Sequence, residues 1–136
     1  SSLVSKATKT LGTEWNIEIL EMHHKHKVDA PSGTALMLGK SAAQARGKAL
    51  SDVKSVSRDG IIGERKDDEI GFAVLRGGDV VGEHSVLFSN SGERIELSHK
   101  ATDRSIFAAG ALRASYWAAK AEPGLYSLSD VLEKGG

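Results

Sequence analysis

The run His23-His24-Lys25-His26-Lys27-Val28-Asp29-Ala30-Pro31-Ser32-Gly33-Thr34-Ala35 constrains this chain more than any other segment. Before it, Trp15 to Met22 alternates as a strand does, with Trp15, Ile17 and Ile19 facing one way and Asn16, Glu18 and Leu20 the other. After it, Pro31 suits the first turn of a helix and Ser32 is a ready cap. That helix runs from about Gly33 to Ala45 and fades at Gly47. A strand that ends in five basic side chains and passes straight to a helix start sets proton-transfer groups beside unpaired backbone N–H groups.

The remaining elements set the fold class. Residues 3 to 11 predict a short helix closed by Gly12, and Val53 to Arg58 a strand. The polar, glycine-punctuated stretch Asp59–Asp68 is a loop. Ile70, Phe72 and Val74 alternate in a strand, and Gly77-Gly78-Asp79 supplies a tight reversal. Val80, His84, Val86 and Phe88 line one face of the next strand, Asn90-Ser91-Gly92 turns the chain, and Ile95, Leu97 and His99 line one face of the third. Thr102-Asp103 caps a long helix reaching about Ala121, with Ile106, Phe107, Gly110, Ala114 and Trp117 on one stripe. Ser127 and Asp130 form a capping box for a last short helix. The expectation is an α+β domain. Its sheet is mixed and mostly antiparallel, covered on one face by helices, with the half-polar other face used for oligomerisation.

With 136 residues the chain is one domain, 1–136, able to bury a single core. Its 18 acidic and 18 basic residues cancel, so no global field favours nucleic acid or a membrane surface, and anion binding must be local. The absence of cysteine excludes disulfides, thiolate metal sites and cysteine nucleophiles. No apolar run approaches the ~20 residues of a membrane span. The opening Ser1-Ser2-Leu3-Val4 has no initiating Met and reads as part of a longer protein.

Several chemistries are open at the histidine run. If the strand continues, His23 points opposite to His24, while His24 and His26 point the same way. One imidazole can therefore face a pocket while its neighbour packs elsewhere. Asp29 can balance Lys27. The Ser32-Gly33-Thr34 N–H groups, with the hydroxyls of Ser32 and Thr34, form an anion cradle that the missing side chain of Gly33 leaves approachable. A metal site using His23, His24 and His26 is the competing reading. Alternating strand residues diverge, and the only further ligands are the distant His84 and His99, so no metal is expected. His84 and His99 are expected to be packed and hydrogen-bonded. A small-anion-binding or oligomerisation module without catalysis is a further alternative.

The stretch Glu21 to Ala35 resembles the signature of the dihydrodipicolinate reductase family. The resemblance continues through Ser57-Arg58, Gly63-Glu64-Arg65, Ile70-Gly71-Phe72, Arg76-Gly77-Gly78-Asp79, Gly82-Glu83-His84, Gly92-Glu93-Arg94, His99-Lys100-Ala101 and Phe107-Ala108-Ala109-Gly110-Ala111. It covers nearly the whole chain and is that of the family's C-terminal domain. It implies a homotetramer joined through its sheets, in the bacterial cytoplasm, acting in diaminopimelate and lysine biosynthesis. The implied reaction reduces a cyclic imino-dicarboxylate with NADPH or NADH. His23 and Lys27 are implied as the proton-transferring residues, and His24, Ser32, Gly33 and Thr34 as substrate-binding. The family's N-terminal dinucleotide-binding domain, with its glycine-rich fingerprint, has no counterpart in these residues. The chain alone is therefore expected to hold half an active site, with no cofactor site of its own and no activity.

Overall fold

A computed structural model describes residues 1–134. The chain divides into two compact units, Ser1–Lys100 and Ala101–Gly136. The first opens with α1 (Ser2–Leu11), whose last turn ends on Gly12 at φ 79°, a conformation that favours glycine. Then come β1 (Asn16–His23), α2 (Gly33–Ala45), the single turn α3 (Leu50–Val53), the two-residue β2 (Lys54–Ser55), β3 (Ile70–Arg76), β4 (Gly82–Asn90) and β5 (Glu93–Ala101). The predicted strand over 53–58 shrinks to Lys54–Ser55 because Val53 closes α3.

The five strands lie in the order β2-β3-β1-β4-β5. β1 pairs parallel with β3, Ile17 beside Ile70 and His23 beside Arg76, and antiparallel with β4, Ile17 beside Phe88. β2 also runs parallel to β3, so the sheet is mixed and one side of it is parallel. The expected hairpin between β3 and β4 does not form, because β1 lies between them. Residues 77–81 instead arch over the C-terminal end of β1. Gly77 N–H donates to the His23 carbonyl (3.0 Å), His24 N–H to the Val80 carbonyl (2.8 Å) and Lys25 N–H to the Gly78 carbonyl (3.2 Å). Crossing one intervening strand spans only about 10 Å, within easy reach of such a segment.

One face of the sheet carries the core. Ile17 and Ile19, Ile70 and Phe72, and Val86 and Phe88 occupy inward positions of three neighbouring strands and are buried against Val4, Ala35, Ala42 and Ala43 of the two helices. Small residues on α2 let it sit close to the strands. A methyl group on Gly39 would stand 2.5 Å from the Phe72 ring, so only glycine fits there. Each of these large side chains contributes roughly 1.5–3 kcal/mol by leaving water. On the other face Leu20, Ala73 and Ser85 form one row and Met22, Leu75 and Glu83 the next, with Leu20 and Leu75 exposed. No helix of the Ser1–Lys100 unit covers these rows.

At the opposite end from the histidine run, Arg58 and Arg65 tie the 57–68 loop to the sheet. Arg58 donates to both Glu18 oxygens (2.7 and 2.8 Å) and to Glu69; Arg65 donates to Glu18 (2.9 Å) and to the Asn16 side chain (2.7 Å). The Glu18 carboxylate lies over Gly71, where a methyl group would meet it at 1.9 Å.

The second unit holds α4 (Ser105–Ala118) and α5 (Leu128–Lys134). Asp103 accepts from Ser105 N–H (2.6 Å), and Ser127 and Asp130 exchange the two bonds of a capping box. α4 stops at Ala118 rather than Ala121, and none of its side chains is buried within the chain.

Candidate active site

The parity that buries Ile17 and Ile19 carries on to Glu21 and His23, so an acidic side chain enters the core face at the strand's end. Glu21 is 1 % exposed. A buried carboxylate is costly unless it is paired and fully hydrogen-bonded, and Glu21 is both. Its Oε1 accepts from the Ser32 backbone N–H (2.9 Å) and Arg76 Nη2 (3.1 Å), and its Oε2 from Arg76 Nη1 (2.8 Å) and His23 Nδ1 (2.6 Å). Burial pushes this carboxyl up, but the hydrogen bonds from Arg76, His23 and the Ser32 N–H outweigh it and hold it below the usual carboxylate range. Arg76 reaches further, donating to the Asp29 carbonyl (2.7 Å). One carboxylate and one guanidinium thus join the end of β1, the 24–31 loop with its cis Ala30–Pro31 bond, and the start of α2.

Ser32 caps α2 as its sequence position suggests, its hydroxyl accepting from Ala35 N–H (3.2 Å). The same oxygen lies 3.0 Å from His84 Nε2, and Ser32 is 2 % exposed, so its hydroxyl is turned inward and engaged twice. Among the described residues the N–H groups of Gly33 and Thr34 find no hydrogen-bond acceptor, as expected of the first turn of a helix. A side chain built on Gly33 would meet nothing within 4 Å, so the approach to these two groups is open.

The histidines separate as strand geometry requires. His23 faces Glu21 and stacks edge-on with His84, ring centres 5.1 Å apart, while His24 and His26 lie together at 6.3 Å on the other side. His24 Nδ1 is buried without a hydrogen-bond partner. Lys27 pairs with Asp29 at 2.7 Å. His84 is partly buried and hydrogen-bonded, as expected; burial and the neighbouring His23 hold its imidazole below the usual histidine range, hence neutral at pH 7. His99 is exposed rather than packed, because β5 is an edge strand. Among the described residues no three His, Cys, Asp or Glu side chains converge to hold a metal ion.

The structure therefore joins His23 and Ser32 through one carboxylate, with Gly33 and Thr34 following Ser32 in the first turn of α2 and Lys27 and His24 on the connecting loop. Glu21 and Arg76 were not singled out from the sequence. The strand parity was the available signal for Glu21; the proximity of Arg76 follows only from the parallel pairing of β1 with β3.

Comparison with known proteins shows the family. The family model described as dihydrodipicolinate reductase, C-terminus, matches residues 1–132. A protein of Parvibaculum lavamentivorans named 4-hydroxy-tetrahydrodipicolinate reductase is 60 % identical over 132 residues, covering 97 % of this chain and 49 % of that protein. A protein of the same name from Beijerinckia indica is 57 % identical over 136 residues, 100 % of this chain and 50 % of that one. The chain spans about half the length of the curated relatives it matches. A solved structure, the dipicolinate-bound dihydrodipicolinate reductase from Paenisporosarcina sp. TG-14, superposes with a TM-score of 0.59 at 24 % identity, over 96 % of this chain and 45 % of that one, a likeness of fold.

Proposed function

The chain belongs to the family of dihydrodipicolinate reductase C-terminal domains, and from that premise we propose that it binds a cyclic imino-dicarboxylate and delivers the proton that accompanies its reduction. The observation that carries this reading is the Glu21 carboxylate, which holds an imidazole on one oxygen and the start of α2 on the other. A proton-transfer group and an anion cradle are thereby set side by side.

The free N–H groups of Gly33 and Thr34, at the positive end of α2, take one carboxylate of the substrate. Ser32 shapes that cradle, and the Thr34 hydroxyl and His24 add donors. Gly33 and Thr34 provide for one carboxylate, not a pyrophosphate, and no G-x-G-x-x-G stretch occurs in the chain. The residues present do not fit NADPH or NADH, whose site we assign to the half of the relatives that this chain does not span. Bound by that other half, a reduced nicotinamide would supply hydride to one carbon of a conjugated imine. The neighbouring atom would then require a proton, a role we assign to His23, which in its imidazolium form can release one from Nε2 while Nδ1–H stays on Glu21, and to Lys27, an ammonium paired with Asp29. The half-polar sheet face carrying Leu20 and Leu75 is the surface we assign to a homotetramer. The product would feed diaminopimelate and lysine synthesis in the cytoplasm.

Titration calorimetry of the chain with pyridine-2,6-dicarboxylate tests the binding half of this reading, and steady-state kinetics of a full-length protein carrying the domain tests the rest. Saturable binding is expected, with His23→Ala and Lys27→Ala each lowering turnover by ~100-fold or more while KM changes little. A rise in KM alone would make both residues binding groups. The 136-residue chain by itself is expected to be inactive with either nicotinamide.

A further inference from the structure

We propose that Glu21, clamped by Arg76, is a positioning residue that fixes which nitrogen of His23 does the proton transfer; this rests on the reading of His23 given above. The geometry leaves one assignment. Glu21 is a carboxylate with acceptors only, so the 2.6 Å contact requires a hydrogen on His23 Nδ1. Nε2 is then the nitrogen free to accept or release a proton at the open end of β1. The carboxylate itself cannot turn. Arg76 grips both of its oxygens with a two-pronged bond, and the Ser32 N–H fixes Oε1. The imidazole therefore inherits its orientation from a side chain that is almost fully buried and never meets the substrate.

Two further features fit a positioning role better than a purely structural one. An apolar residue at position 21 would continue the core of Ile17 and Ile19 without the cost of burying a charge, so packing alone does not call for glutamate. Gly82 lies against the other edge of the His23 ring, where a methyl group would stand 3.1 Å from Nε2. Its φ is not in the left-handed region, so no backbone requirement explains a glycine there. Its missing side chain keeps the space beside Nε2 clear. The carboxylate loads one nitrogen and the glycine leaves the other uncovered.

The assignment is read directly by imidazole nitrogen NMR of the unmodified chain at neutral pH. Where the ring carries a single proton, that proton is expected on Nδ1, leaving Nε2 to take up and hand on the transferred one; a singly protonated ring with its proton on Nε2 overturns the proposal whatever the kinetics show. Glu21→Gln removes the enforced acceptor, because its amide can donate as well as accept. In a full-length protein carrying the domain it is expected to lower kcat by about 10- to 100-fold with KM nearly unchanged, and to let the Nε2–H form appear. Wild-type kcat in a folded Glu21→Gln variant with its Nδ1–H signal intact overturns the proposal. Dicarboxylate binding separates the two ideas, since it reports on the cradle of Gly33 and Thr34 and would survive a failure of the Glu21 assignment. Should Glu21→Gln fail to fold, Arg76→Lys, which keeps the charge but loses the two-pronged grip, is expected to lower kcat in the same sense, and unchanged kcat there counts against the clamp.

Discussion

Gly33→Val separates the cradle from the fold. Gly33 is the first residue of α2, and a side chain there would meet nothing within 4 Å. No core contact is lost and none is overfilled. The helix exchanges a residue with high backbone entropy for one with a restricted side chain, so stability should change by less than about 1 kcal/mol in either direction. The ligand sees a different change. Two branched methyl groups should crowd the approach to the Gly33 and Thr34 N–H groups, which have no other partner among the described residues. Hydrogen bonds to a charged group contribute ~1.5–3 kcal/mol. Losing one such bond to a carboxylate raises the dissociation constant roughly 10- to 150-fold, since each 1.4 kcal/mol is a factor of ten. Calorimetry with pyridine-2,6-dicarboxylate on the chain and its variant measures the affinity, and thermal melts of both confirm that the fold survives. Equal affinities would mean that the α2 start is only a helix cap and that the dicarboxylate sits elsewhere.

Gly82→Ala places a methyl group 3.1 Å from His23 Nε2, and in a full-length protein should lower kcat more than it raises KM; an unchanged kcat would remove Gly82 from the site. Gly71→Ala brings a methyl group to 1.9 Å from a Glu18 oxygen and must dislodge that carboxylate from Arg58 and Arg65. It should cost ~1–3 kcal/mol in urea unfolding, most of it absent when Glu18→Ala is already present. Acid should destabilise the chain through two groups whose folded pKa values are depressed. His84 contributes stability that is present above its ordinary 6.5 and lost as pH falls through its folded value, and Glu21 does the same below 4.5. Urea unfolding across pH should therefore show Glu21→Gln with a shallower loss of stability on the acid side, and an unaltered profile would contradict the account. Leu75→Lys, on the open sheet face, should lower the mass seen by light scattering if that face joins subunits, and an unchanged assembly would place the interface elsewhere.

Local signals carried much of the chain. α2 is bounded by Ser32 and Gly47, α1 ends at Gly12, and the last helix opens on its capping box, because caps and glycine stops act over a few residues. The strand alternation in β1, β3 and β4 placed the core side chains for the same reason. The strand read over Val53 to Arg58 exists only as Lys54–Ser55, and the α3 turn that takes up Val53 was not legible, since so short an element has no period to detect. His99 was misplaced because alternation reports a face but not whether a neighbouring element covers it.

Pairing of distant strands is a different kind of information. The glycine turn after Arg76 is as compatible with a hairpin as with the arch that the structure forms. Only the sheet as a whole decides between them, by placing β1 in the centre, where both of its edges are hydrogen-bonded and both inward isoleucines are covered. That choice sets Arg76 beside His23 and His84 opposite Glu21, and so assembles the candidate site. The sequence by itself determined the chemical groups at the end of β1, the helix start that follows them and the family to which they belong, since each is written in contiguous residues. The tertiary structure alone decided that a buried carboxylate would join the imidazole to the helix start, because Glu21 lies far in the chain from Arg76 and His84 and meets them only through the register of three strands.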